Sequence, residues 1–131
     1  MINNNIKLVV VDKVAYATSR EVAKDFEKKH DDLLGSLRDL IENLTTENYG
    51  VKIEDYFIEG FYTNSRNRKY PEFKLTKDGF TLLAMGFTGA KALQFKIDYI
   101  NRFNEMEAQL KEIEKVIDDK GVLSEEEYYK I

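Results

Sequence analysis

The sequence has no cysteine, one histidine and one proline, and no apolar run long enough to cross a membrane. Without cysteine, disulfides, thiolate metal sites and cysteine nucleophiles are excluded, which fits a reducing compartment. A lone histidine, His30, leaves no second imidazole for a metal set or a proton relay. Spanning a bilayer takes about 18 or more consecutive apolar residues, and the Asn-rich start, residues 1–7, lacks the basic and apolar regions of a signal peptide. A cytoplasmic protein with no membrane contact is expected. No serine stands in a nucleophile-elbow pattern, and the carboxylates are scattered along solvated helix positions rather than paired. An enzyme is not expected, nor is a cofactor or a metal. His30 reads as a helix-start residue, capping or facing phosphate, rather than as a general base.

What is present is enough for one domain with a substantial core. The chain has 131 residues, 43% of them apolar and 34% charged, a globular and helix-rich balance. The net charge of −4 looks wrong for a nucleic-acid binder, but its distribution is uneven. Residues 104–131 hold nine acids and four bases, leaving sixteen bases and fifteen acids in residues 1–103. Because salt screens charges beyond about 10 Å, a local basic face on the first 103 residues is what counts.

Along the chain, Ile6–Val11 and Val14–Ala17 read as two short strands joined tightly at Asp12-Lys13. Thr18-Ser19 offers an N-cap to a helix over Ser19–Lys28, with Val22, Ala23 and Phe26 on its buried face. A second helix begins near Lys29–Asp31 and runs to about Leu44, carrying a stripe of Leu33, Leu34, Leu37, Leu40, Ile41 and Leu44. Asp31 and Asp32 in its first turn suit the positive end of the helix dipole. Two such helices resemble a helix-turn-helix, whose second helix enters the major groove, although helix pairs are more often plain packing.

The next stretch points more firmly to nucleic acid. Phe57, Phe61 and Tyr62 lead into Thr63–Lys69, and Tyr70–Leu75 returns, which describes a β-hairpin with a polar tip. From Asn64 to Lys77 there are five bases against one acid, Glu72. A hairpin directly after a helix pair is the arrangement of a winged helix, and guanidinium groups at its tip suit phosphate or a narrow minor groove. The candidate DNA contacts are therefore Arg20, Lys28, Lys29, His30, Ser36, Arg38, Asn64, Arg66, Asn67, Arg68 and Lys69. Asp31, Asp32 and Asp39 count against deep insertion of the second helix. A solvated turn whose charges merely keep the hairpin soluble is the plain alternative.

Thr76 caps a third helix, Lys77–Met85, and Gly86–Gly89 marks a sharp corner; a phosphate-loop reading fails because no lysine-serine or lysine-threonine pair follows. A long fourth helix runs from Thr88 or Ala90 to Asp118 or Asp119. Beyond Phe103 its apolar positions narrow to Phe103, Met106, Leu110, Ile113 and Ile117, a heptad-like seam that predicts a homodimer. Gly121 ends this helix, and Ser124–Glu127 reads as a capping box. The organisation expected is a DNA-binding head, residues 1–103, and an acidic helical tail, residues 104–131. The fold class is α+β, mostly helical, with a winged-helix-like head before a long C-terminal helix.

Two stretches resemble the phage regulatory protein Rha family. One is Ser19-Arg20-Glu21-Val22-Ala23 followed by His30. The longer is Phe73-Lys74-Leu75-Thr76-Lys77-Asp78-Gly79-Phe80-Thr81-Leu82-Leu83-Ala84-Met85-Gly86-Phe87-Thr88-Gly89-Ala90-Lys91-Ala92, continuing through Phe95-Lys96, Tyr99-Ile100 and Phe103–Glu107. The likeness covers roughly residues 8–110. It implies a phage or prophage transcriptional regulator in a bacterial host, binding duplex DNA. The alternative is a protein-binding module, an inhibitor or antirepressor-like protein, that captures a host or phage protein. Family members with a further C-terminal domain contrast with the short acidic tail here.

Overall fold

Asp12 and Lys13 both adopt left-handed backbone, with φ of 49° and 68°. Two consecutive positive φ values make the hairpin turn whose twist matches that of the strands it joins. It connects β1 (Val9–Val11) to β2 (Val14–Thr18), with Val11 opposite Val14. The computed structural model of the chain describes residues 5–47 and 49–120, with side chains as far as Glu114. After β2 come α1 (Ser19–Asp25), α2 (His30–Thr46), a 3-10 turn (Ile53–Asp55), β3 (Phe57–Thr63), β4 (Lys69–Leu75), α3 (Lys77–Ala84) and α4 (Ala90–Lys120). The four strands form one antiparallel sheet in the order β1-β2-β4-β3. Strand, helix pair and a hairpin whose second strand returns to pair with that strand give the α+β, winged-helix-like arrangement expected, followed by the long helix.

The helix ends follow from local chemistry. Thr18 caps α1, its Oγ1 accepting from the Glu21 amide. The helix stops at Asp25, three residues before the expected end, because Glu27 takes a φ of 57°. The Lys28 amide then donates to the Ala23 carbonyl at 2.8 Å and the Glu27 amide to Lys24 at 3.2 Å. That pair of bonds is a Schellman ending, here built without the glycine that usually announces it. Thr76 caps α3 as expected, accepting from the Gly79 amide at 3.1 Å. Its hydroxyl donates to the Asp55 carbonyl at 2.8 Å, which ties α3 to the 3-10 turn.

The core lies between the helices and the inner face of the sheet. Val22, Leu33, Leu34, Leu37, Phe57, Phe73, Leu75, Phe80, Tyr99 and Phe103 are all buried in it. Phe26 contacts four rings, those of Phe80, Phe87, Phe95 and Tyr99, at 4.7–6.1 Å. Tyr99 stacks on Phe80 at 4.5 Å and donates its hydroxyl to Asp25 at 2.6 Å. Burial raises the pKa of both groups, so the buried phenol stays protonated, while its hydrogen bond partly offsets the rise on Asp25.

The seam on α4 is the main correction. Phe103, Met106 and Leu110 are buried within this chain, and Ile113 is half-buried. The heptad-like spacing marks a face that packs on the chain's own head, so these side chains are not an open dimer interface. The core accordingly continues past the expected boundary at residue 103. Among the described residues, the large apolar side chains that α4 does expose, Leu93, Ile97 and Ile100, belong to a different stripe. The side chain of Ile117, the stop at Gly121 and the Ser124–Glu127 box lie outside the described residues. Among the described residues, no helix is long and apolar enough to cross a membrane.

Candidate nucleic-acid interface

The wing is β3, β4 and the loop between them, and two asparagines shape its tip. Asn64 Oδ1 accepts from the amides of Arg66 (3.0 Å) and Arg68 (2.9 Å). The Asn64 amide donates to Arg68 O at 3.0 Å, and the Asn67 amide to Asn64 O at 2.9 Å. Asn67 sits at φ 62°, a conformation asparagine tolerates better than most residues. Both asparagines were expected to touch DNA. Asn64 instead spends its oxygen on the loop, and Asn67 supplies the loop's left-handed residue. They hold Arg66, Arg68 and Lys69 on a defined turn. These three cations are exposed, and none has an ion-pair partner among the described residues.

The base of the wing is braced against the helix pair. The Arg20 guanidinium lies 3.8 Å over the Tyr62 ring and 3.7 Å from a Glu72 carboxylate oxygen. Tyr62 stacks on Tyr70, its cross-strand partner, at 5.6 Å. Behind them Ser19 is fully buried, its hydroxyl oxygen accepting from the Phe73 amide at 2.9 Å and lying 2.8 Å from His30 Nε2. The buckle spans 54 residues of sequence and joins the starts of α1 and α2 to β4. Desolvation lowers the His30 pKa, outweighing the nearby carboxylates of Glu72 and Asp31, with Arg20 also lowering it. His30 is thus a neutral structural clamp whose imidazole is already engaged. Arg20 is likewise committed to Tyr62 and Glu72, although half its side chain stays exposed.

The remaining expected contacts do not converge on one surface. Lys28 places its ammonium 4.7 Å over the Phe87 ring, toward the glycine corner rather than the wing. Together with Lys29, Asp32 and Ser36 it lines a shallow groove of about 330 Å³. Ser36 donates to the Asp32 carbonyl at 3.3 Å. Arg38 is exposed, but two helical positions place it about 200° from Ser36. The two residues flank the leucine stripe on opposite sides and cannot enter one groove together. The outer surface of α2 carries exposed Asp31, Asp32, Asp39 and Glu42 against Arg38 alone. That balance opposes burying α2 between phosphates.

The sequence did not point to Ser19, Tyr62, Tyr70 or Glu72 as the wing's brace. Tyr62 and Tyr70 had one usable signal: a five-residue loop centred on Arg66 puts them directly opposite each other. From the sequence, Glu72 is only the acid that dilutes a basic hairpin. Among the described residues no cluster of histidine, aspartate or glutamate could hold a metal ion.

The family model for phage regulatory protein Rha matches residues 17–108. The chain belongs to the Rha family. That match begins at the end of β2 and closes inside α4, so it takes in the helix pair, the wing, α3 and the first part of the long helix. Among curated relatives, YoqD of Bacillus subtilis strain 168, named as an SPbeta prophage-derived antirepressor, is 35% identical over 83% of this chain and 43% of its own length. An uncharacterized protein of Haemophilus influenzae is 33% identical over 80% of this chain and 60% of its own. A 22.8 kDa protein from the gp15-gp3 intergenic region of Salmonella phage P22 is 34% identical over 70% and 44%. The Rha-family chain therefore spans roughly half the length of these relatives. No solved structure matches it.

Proposed function

We propose that this Rha-family chain regulates phage or prophage transcription by binding duplex DNA, with the wing as its main contact. The observation that carries the reading is the tip itself: Arg66, Arg68 and Lys69 are exposed, without an ion-pair partner among the described residues, and mounted on a loop fixed by four hydrogen bonds. Guanidinium groups held in place lose less entropy on meeting phosphate than those on a floppy loop. In this account α2 lies beside the duplex, with its N-terminal end nearest the backbone, and its acidic outer face turned away. Replacing Arg66, Arg68 and Lys69 together with alanine is expected to weaken binding to every duplex and to flatten the log-log salt slope by up to about 3, near one per lost phosphate contact. Fluorescence anisotropy over a salt series reads both quantities. Unchanged affinity and slope would remove the wing from the account.

A second reading rests on the acidic face of α2 and on the antirepressor name of the Bacillus relative. In it, Asp39 and Glu42 meet a basic surface on another protein, such as a phage repressor. Charge reversal at those two positions would then abolish capture of the partner and leave duplex binding intact.

A further inference from the structure

Phe61 leaves 68% of its surface in water, although it stands inside a seven-residue strand. Residues alternate across a strand, so Phe61 shares its face with Glu59 and Thr63, while Tyr62 turns to the opposite face and the Arg20 brace. Its cross-strand partner is Pro71, the only proline in the chain, and Thr63 beside it pairs with Lys69. β2 pairs with β4 only at Leu75 and Lys74, so Pro71 lies beyond that ladder, where a missing amide proton costs no bond to β2. One face of the wing thus runs from a phenylalanine and a proline, through threonine and lysine, to a tip with two arginines. At about 3.3 Å per strand residue, Phe61 stands about 10 Å from the start of the tip loop at Asn64. Glu59 is about 7 Å further back, toward the body of the molecule.

Apolar wedges flanked by cations are what proteins use to open a base step from the minor groove, which narrow A·T-rich sequence makes attractive to arginine. We infer that Phe61, backed by Pro71, is such a wedge, entering a base step of duplex DNA from the minor groove and kinking it. This rests on the wing being the DNA contact. Cations Arg66, Arg68 and Lys69 hold the flanking phosphates, and Phe61 replaces base–base stacking at one step with base–ring contact. Flexible pyrimidine–purine steps would be preferred, because they unstack most cheaply. Sequence preference would then come from deformability, without a side chain in the major groove.

The test is a bending measurement on the full chain. A duplex of about 25 base pairs with a central TA step, labelled at both ends, reports bending by energy transfer. Wild-type protein is expected to shorten the end-to-end distance, with a kink in the range of about 20–90° that wedges produce. Phe61→Ala should bind with an unchanged salt slope and leave the duplex straight, whereas Phe61→Leu, still an apolar wedge, should retain most of the bend. Exposure of the side chain makes misfolding of either variant easy to exclude by circular dichroism. Wild-type protein that binds without bending, or a Phe61→Ala protein that bends as fully as wild type, overturns the wedge alone. Tighter binding to the separated single strand than to the duplex, lost in Phe61→Ala, overturns it in favour of a stacking platform. Failure of wild-type protein to bind any duplex at low salt overturns the wedge together with the DNA reading.

Discussion

Ser19 has no exposed surface, yet its hydroxyl serves two partners, the Phe73 amide and His30 Nε2. Both partners are satisfied when His30 is neutral and takes the hydroxyl proton, while the oxygen accepts from Phe73. Desolvation holds the His30 pKa below its ordinary 6.5, so between the folded and unfolded values the unfolded chain binds more protons. Stability therefore rises with pH in the window just below 6.5 and falls as acid is added. Urea denaturation at pH 7.5 and 5.5 is expected to give a lower midpoint at 5.5. His30→Gln, which keeps a polar side chain but does not titrate, should flatten that difference. Because the raised Asp25 pKa works in the opposite sense on the acid side, the comparison of the two proteins decides: a pH difference that His30→Gln leaves unchanged would contradict the clamp. Glycines make a second prediction at this scale. A Cβ on Gly79 would stand 2.0 Å from the Tyr56 carbonyl oxygen, because α3 rests directly on that peptide. Gly89 has open space around it but a φ of +100°, while Gly86 has neither constraint. Alanine should thus be most damaging at Gly79 and cost about 1–3 kcal/mol at Gly89. At Gly86 it should change stability by no more than about 0.5 kcal/mol. Thermal unfolding of the three variants ranks them, and a Gly79→Ala protein as stable as Gly86→Ala would refute the close approach.

Elements fixed by neighbouring residues were readable from the sequence. The Asp12-Lys13 turn, the caps at Thr18 and Thr76, the wing and the corner before α4 each depend on a few consecutive side chains. The premature end of α1 was not readable, because Glu27 takes a left-handed φ that sequence assigns to glycine or asparagine. Nor could spacing decide where α4 packs. The 3-4-3 spacing from Phe103 to Ile113 has the same period whether the facing surface is another chain or the chain's own head. Burial separates the cases: Met106 and Leu110 are covered, Leu93 and Ile97 are not. Alanine at Leu110 or Met106 should cost about 2 kcal/mol or more in denaturant unfolding, and alanine at Leu93 or Ile97 under about 0.5 kcal/mol. A Leu110→Ala protein with the wild-type midpoint would detach that part of α4 from the core.

At the scale of the whole molecule, the long helix and the wing are tied to the same core by contacts far apart in sequence. Tyr99 reaches Asp25, Lys77 donates to Asn104 at 2.7 Å, and Ser19 reaches Phe73. None of these pairs has a sequence signal, since each joins side chains whose proximity exists only after folding. That is why a basic cluster was legible as a candidate site while its geometry was not. Composition singles out Arg66, Arg68 and Lys69, which the fold leaves exposed together, but it groups Ser36 with Arg38 across opposite flanks of α2. An overall negative charge need not prevent DNA binding, provided the contact is made by the wing and the acidic face of α2 turns outward.

The central claim, that the wing meets the duplex, is tested most directly by nuclear magnetic resonance. Unlabelled duplex is titrated into isotope-labelled protein at moderate salt, and the backbone amide shifts are mapped. Wing contact predicts saturable shifts at residues 61–69, with smaller ones at the N-terminal turn of α2. Shifts confined to the outer face around Asp39 and Glu42, or no saturable shifts at all, would contradict it.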